Sequence, residues 1–319
     1  MSFSGNIKEE ISRQLSPARH CQIAELAAII SMCGAVMIDS RGHAALKIHT
    51  ENLAVARKSF TLLRRTFNMV VDIAIRVNRE KGSSYYYIVV KKHEDAIRVL
   101  QAAKLLNPYG DVEEELSVVK NVVIQETCCK RSFLRGVFLA SGSMSDPEKS
   151  YHFEIVCASM GKAQQIQKIM RCFALDAKIV SRKKSFVVYL KEGAQIVDVL
   201  NVMEAHQSLM ELENIRILKD MRNTVNRKVN CETANINKTV SAAVKQIDDI
   251  RYIEETKGLD KLPEGLKDMA LTRLTYPEAS LKELGALLQN PVGKSGVNHR
   301  LRKLSEMAEE IRAKQGGTL

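Results

Sequence analysis

The chain has 319 residues, 45% of them hydrophobic and 27% charged, which is enough to bury real cores in two domains and too apolar for a disordered or fibrous protein. Its formal net charge of +11 favours a polyanionic partner, because each Lys or Arg placed on a phosphate releases condensed counterions. Charge alone does not separate nucleic acid from an anionic membrane.

The N-terminus, MSFSGNIKEEISRQL, places Asn6, Lys8, Glu9 and Glu10 where a signal peptide needs an apolar run, so a cytoplasmic protein is expected. The most apolar window, Ile23 to Ile38, contains Glu25 and Ser31 and falls short of the roughly 20 apolar residues of a spanning helix. It reads as a buried core helix, and no membrane partner is expected. The seven cysteines, Cys21, Cys33, Cys128, Cys129, Cys157, Cys172 and Cys231, form no CxxC pair or zinc spacing and read as reduced thiols. Cys128 and Cys129, being adjacent, are expected to diverge on a helix and pack rather than chelate. His43 and His49 have no carboxylate or cysteine to complete a site. No metal and no cofactor is expected.

The first 205 residues read as one unit written twice, in repeats of about 20–107 and 126–205. Each opens with an apolar helix, CQIAELAAIISMCG (Cys21 to Gly34) and RSFLRGVFLASG (Arg131 to Gly142), closed by a glycine suited to a left-handed turn. Strand-like segments follow. The helical ENLAVARKSFTLLRRTF and the strands NMVVDIAIRVN and SSYYYIVVK are answered by GKAQQIQKIMRCF, LDAKIVSR and KSFVVYLK. HEDAIRVLQAAKLL and GAQIVDVLNVM close the halves as helices. Arg57, Lys58, Arg64 and Arg65 lie on or beside one helix. Lys178, Arg182, Lys183, Lys184 and Lys191 lie in or beside the second hairpin, with no acid between Lys178 and Lys191, a basic rim suited to a duplex backbone.

From Ala205 the pattern is helical only. Residues 206–235 read as a linker and 236–319 as a second, all-α domain, in which Val240, Val244, Ile247 and Ile250 recur at helical spacing and are expected to pack. Three short helices are predicted around Glu264 to Leu274, Ser280 to Leu288 and Ser295 to Ile311. The last two form a helix-turn-helix. Leu281, Leu284 and Leu288 supply the buried stripe of its first helix, Gly285 a close approach, and Asn290 and Pro291 the stop. Ser295 is the expected N-cap of the second, with Val297, Leu301 and Leu304 facing inward. Lys294, Ser295, Asn298, His299, Arg300, Arg302 and Lys303 are then the candidate DNA contacts: Asn pairs with adenine, Arg with guanine, and Lys anchors phosphate. Gly293 to Ser295 is no phosphate loop, since Leu288 stands where that motif needs glycine.

LAAIISMCG (Leu26 to Gly34) and LRGVFLASG (Leu134 to Gly142) resemble the two signatures of the LAGLIDADG homing endonuclease family. The resemblance implies two α-β-β-α-β-β-α repeats, signature helices packed at the centre, and two sheets forming a saddle for duplex DNA. The small residues Ala24, Ala27, Ala28, Ser31, Gly136 and Ala140 agree with a close helix pair. The family's metal-binding acids belong at the eighth signature position, here Cys33 and Ser141, neither a good ligand for Mg²⁺. Asp39 and Asp146, a few residues beyond, read as turn residues. No catalytic residue is assigned.

The decayed two-repeat domain followed by a helix-turn-helix resembles the WhiA family of bacterial regulators across essentially the whole chain. The stretch from Met221 to Ile247 looks like that family's linker, and its Asn223, Asn226, Arg227 and Asn230 form a polar stripe for DNA contact or for capping. The fold class expected is thus α+β, a LAGLIDADG-like saddle followed by an all-α helix-turn-helix domain. The resemblance implies transcriptional control linked to sporulation or to cell division and chromosome segregation. Double-stranded DNA is the expected partner of a nucleoid-associated monomer, with RNA polymerase or another regulator as protein partners. A metal-dependent endonuclease with relocated ligands and a non-specific nucleoid or RNA-binding protein stay open as alternatives.

Overall fold

Phe3, Ile7 and Ile11 recur every four residues and are buried, so the N-terminal segment forms a helix, α1 (Phe3–Arg13), whose first turn is capped by the Ser2 hydroxyl accepting the Gly5 N–H. The computed structural model describes residues 2–78, 82–107, 109, 111, 116 and 118–315. Two units, Met1–Lys219 and Asp220–Leu319, each have their own core.

In the first unit the duplication is complete. The order α2 (Arg19–Cys33), β1 (Gly34–Ile38), β2 (Ala44–Thr50), α3 (Leu53–Phe67), β3 (Asp72–Asn78), β4 (Ser83–Val90) and α4 (His93–Ala102) makes the first repeat. The second repeats it as α5 (Thr127–Ser141), β5 (Gly142–Met144), β6 (Phe153–Cys157), α6 (Met160–Arg171), β7 (Lys178–Arg182), β8 (Ser185–Leu190) and α7 (Gly193–Val202). Each repeat holds one antiparallel four-stranded sheet, ordered β1-β2-β4-β3 and β5-β6-β8-β7.

Helices α2 and α5 carry apolar residues on nearly every face because they pack against each other and are covered by both repeats. Gly136 lets them approach closely: a Cβ there would lie 2.4 Å from the Glu25 carbonyl oxygen and 2.8 Å from the Ala28 Cβ. Gly34 and Gly142 do not adopt the left-handed turn expected of them. Both are extended, at φ −88° and −78°, and feed the helix directly into a strand. Glycine is required there by crowding instead, since a Cβ would lie 2.4 Å from the Ile30 carbonyl oxygen in one case and 2.3 Å from the Phe138 ring in the other.

Two further expectations are corrected within this unit. Lys58 is no surface cation. It is 1% exposed, its ammonium lies 3.0 Å from the fully buried Glu25 carboxylate, and Arg135 closes on the same carboxylate at 3.6 Å while pairing with Glu204 at 2.5 Å. Cys128 and Cys129 do not diverge from a common partner, because α2 brings His20 and Cys21 up to both: the four ligand atoms lie within 4.8 Å of one another.

One helix, α8 (His206–Thr256), runs through both segments read as helical after Ala205. Val240 and Val244 are 54% and 52% exposed, so the expected packed face is buried only from Ile250 onward, where the second core begins. That core is completed by α9 (Glu264–Thr275), α10 (Leu281–Leu287) and α11 (Lys294–Gln315), close to the three short helices predicted. Among the described residues, no helix is long and apolar enough to cross a membrane.

Candidate nucleic-acid interface

Helix α10 starts at a capping box. The Ser280 hydroxyl accepts the Glu283 N–H at 3.3 Å, and the Glu283 carboxylate accepts the Ser280 N–H at 2.8 Å, which holds that carboxyl below the usual range. Leu284 and Leu288 are buried against Val297, Leu301 and Leu304 of α11. Gly285 is needed at the turn between the helices: its carbonyl accepts the Val292 N–H at 3.0 Å, and a Cβ would lie 2.2 Å from the Val292 carbonyl oxygen. The close approach read from Gly285 is made by the connecting turn and, at 3.1 Å from the place of a Cβ, by the Val297 side chain of the crossing helix α11. These contacts fix which side of α11 faces outward.

On that side Lys294, Ser295, Asn298, His299, Arg302 and Lys303 are exposed, and Arg302 pairs with Glu306 one turn on at 3.2 Å. Ser295 is not the N-cap. The Val297 N–H donates to the Gly293 carbonyl, so Gly293 takes the cap position and Ser295 lies within the first turn. Arg300 is half-buried, with its guanidinium 3.6–3.8 Å from the position of a Cβ on Gly265 of α9. Arg227, with Asn223, Asn226 and Asn230, is exposed in the middle of α8, away from any helix end that these asparagines would cap.

In the first unit, Arg182, Lys183 and Lys184 form the exposed tip of the β7-β8 hairpin, with Lys183 in the left-handed region at φ 53°. Arg182 reaches back to Glu154 at 3.1 Å, and Glu154 also accepts from Ser143 and sits 3.1 Å from His152. These contacts hold its carboxyl below the usual range despite partial burial. Arg57 is tied to Glu9 at 3.1 Å. The sheet of the first repeat turns a second basic and aromatic surface away from the helices. There the register sets His49 opposite Tyr87 and Arg76 opposite Tyr85. The His49 ring stacks on Tyr87 and Tyr85 at 5.0 and 5.5 Å, and the Lys47 ammonium sits 4.2 Å from the Tyr87 ring centre. The alternation Lys47/His49 and Tyr85/Tyr87 is the signal that would have found this face.

At the two positions where the LAGLIDADG signature carries acids the chain has a thiol, Cys33, and a hydroxyl, Ser141, with two lysines around the first. The Cys33 thiol donates to the Ile29 carbonyl at 3.3 Å, and burial pushes its pKa up to about 12. The half-buried Lys8 ammonium interacts with it electrostatically, its own pKa lowered to about 8 by burial. Lys162 donates to the carbonyl of Ser31, near the same end of α2, at 2.6 Å. The Ser141 hydroxyl turns to the Val137 carbonyl at 3.5 Å. Asp39 accepts the N–H groups of Arg41 and His43, each at 2.8 Å, and Asp146 that of Glu148 at 3.0 Å, so both are turn residues as read.

Three family models match the chain: the WhiA N-terminal LAGLIDADG-like domain at residues 19–106, the WhiA LAGLIDADG-like domain at 130–222 and the WhiA C-terminal HTH domain at 225–308. The chain is similar to a "Probable cell division protein WhiA" of Lachnoclostridium phytofermentans, 54% identical over 98% of this chain and 100% of the relative. A relative of the same name in Alkaliphilus oremlandii is 48% identical over 98% of each chain. Among solved structures, full-length DUF199/WhiA from Thermatoga maritima matches at a TM-score of 0.60 and 27% identity, over 97% of this chain and 99% of that one. The order of a duplicated LAGLIDADG-like unit and a helix-turn-helix is thus shared from end to end, and the chain belongs to the WhiA family.

Proposed function

We propose that the protein is a sequence-specific DNA-binding transcriptional regulator that reads its site with α11 and does not cleave it. The observation that carries this reading is the exposed face Lys294, Asn298, His299, Arg302 and Lys303, held outward by the buried Val297, Leu301 and Leu304. Arg302 and Asn298 suit base edges, while Lys294 and Lys303 suit phosphates at the positive end of the helix and about two and a half turns further on. The β7-β8 tip, Arg227 and the Lys47/His49/Arg76 sheet face add backbone contacts. Catalytic silence follows from the signature positions, where a protonated thiol beside Lys8 and a hydroxyl stand in for two carboxylates.

The regulon in this reading serves cell division, the process for which the relatives above are named, together with chromosome segregation or sporulation. The protein acts in the cytoplasm on the nucleoid, as a monomer whose duplicated unit supplies its own pseudo-twofold pair, with RNA polymerase or another regulator as its protein contact. Arg302→Ala tests the reading. It should weaken binding to the preferred site, identified from genome-wide bound fragments, by about 10- to 100-fold, and weaken random duplex far less. Equal weakening on both, or a motif-free binding profile, would leave a non-specific nucleic-acid binder instead.

A further inference from the structure

Aligning the signatures Leu26 to Gly34 and Leu134 to Gly142 and stepping back along both helices sets His20 opposite Cys128 and Cys21 opposite Cys129. These are the four residues whose ligand atoms converge within 4.8 Å, so the cluster lies where the two repeats meet across their pseudo-twofold relation. It is the counterpart, at the N-terminal ends of α2 and α5, of the degenerate metal positions at their C-terminal ends. The His20 Nδ1 is 3.1 Å from the Cys129 sulfur and 3.4 Å from the Cys21 sulfur. A tetrahedral zinc with bonds of about 2.3 Å to sulfur and 2.0–2.1 Å to nitrogen sets its ligand atoms about 3.5–3.8 Å apart, so only small side-chain adjustments separate this arrangement from a closed site.

We propose that His20, Cys21, Cys128 and Cys129 form a structural zinc site that staples the two repeats together. The donor set of three thiolates and one imidazole selects zinc over the hard cations of nuclease chemistry. Binding replaces three S–H protons, released to solvent, by three S–Zn bonds, with neutral His20 as the fourth ligand and no electron transferred. The resulting net charge of −1 sits over the positive ends of two fifteen-residue helices, where a thiolate-rich centre is favoured. Cys21 and Cys129 are buried while Cys128 and His20 are exposed, and a cleft of about 230 Å³ lined by His20, Lys104, Glu126 and Cys129 gives an ion access.

The full-length reduced protein, stripped with a chelator and titrated with Co²⁺ without oxygen, tests this. One equivalent is expected to produce the intense visible bands of a tetrahedral centre and the near-ultraviolet thiolate charge-transfer band, both abolished by one equivalent of Zn²⁺. Zinc loading should slow alkylation of Cys128 at least tenfold while leaving the exposed Cys172 and Cys231 unchanged. Cys128→Ser should lose the charge-transfer intensity of one thiolate, and the double variant Cys172→Ser/Cys231→Ser should keep the full spectrum. A pale octahedral cobalt spectrum or unprotected Cys128 would each overturn the proposal, and both are read on the wild-type chain, so they do not depend on a variant folding.

Discussion

Gly136 and Ala28 occupy the same position in the two signatures and meet where α2 and α5 cross, with 2.8 Å between the Ala28 Cβ and the place of a Cβ on Gly136. Glycine at one of the two positions is what allows the helices to touch backbone to side chain, with the Glu25 carbonyl closer still at 2.4 Å.

Gly136→Ala should therefore destabilise the first unit by about 1–3 kcal/mol, the usual cost of overpacking a core that cannot yield. Gly293→Ala, where a Cβ meets nothing within 4 Å, should cost far less. Urea unfolding of both variants decides it, and equal losses would show that the helix crossing is not the constraint.

The Glu25–Lys58–Arg135 cluster predicts a non-additive response. Lys58→Ala leaves the buried carboxylate with Arg135 alone and strips donors from the Gln14 and Ile11 carbonyls, an expected loss of about 3–5 kcal/mol. Glu25→Gln combined with Lys58→Met should cost clearly less than the sum of the single changes. Additive losses in a double-mutant cycle would mean that the pair does not act as a unit.

Restoring acids should not restore cleavage. Cys33→Asp/Ser141→Asp places carboxylates at both signature positions, but the first lies in the field of the Lys8 ammonium and Lys162 is bonded to the same end of α2. The variant is expected to leave supercoiled plasmid intact in Mg²⁺ or Mn²⁺. Metal-dependent nicking would show that only the two acids are missing.

Arg300 and Lys303, three residues apart, should fail differently. Lys303→Ala is expected to reduce the slope of log affinity against log salt by about 1 and leave thermal unfolding unchanged. Arg300→Ala, which uncouples α11 from Gly265, should lower the unfolding temperature of the second unit. An unchanged melting curve for Arg300→Ala would move that residue back to the reading face.

The α10 capping box carries a pH dependence. The Glu283 pKa is depressed by its bonds to Ser280, so its stabilising contribution is fully present above the ordinary carboxylate range and is lost as the pH falls through the depressed value. An NMR titration should place Glu283 below a free glutamate and return it to normal in Ser280→Ala. A normal value in the wild-type chain would remove the cap from the account.

What the sequence determined by itself is what depends on periodicity and on positions a fixed distance apart. The alternating strands, the apolar stripe of Leu284, Leu288, Val297, Leu301 and Leu304, and the duplicated helices were legible because helix and strand spacing maps directly onto burial, while Cys33 and Ser141 in place of acids were legible through the resemblance to the LAGLIDADG signatures. Tertiary structure decided what depends on a partner distant in the chain. Lys58 looks like its neighbours Arg57 and Arg64 until Glu25 claims it, and Val240 and Val244 have core spacing but no core against them. Arg300 points outward by its helical phase, yet its long side chain turns back to Gly265. Cys128 and Cys129 diverge as neighbours on α5 but converge with His20 and Cys21, because close packing of two helices brings together residues whose separation in sequence carries no trace of it.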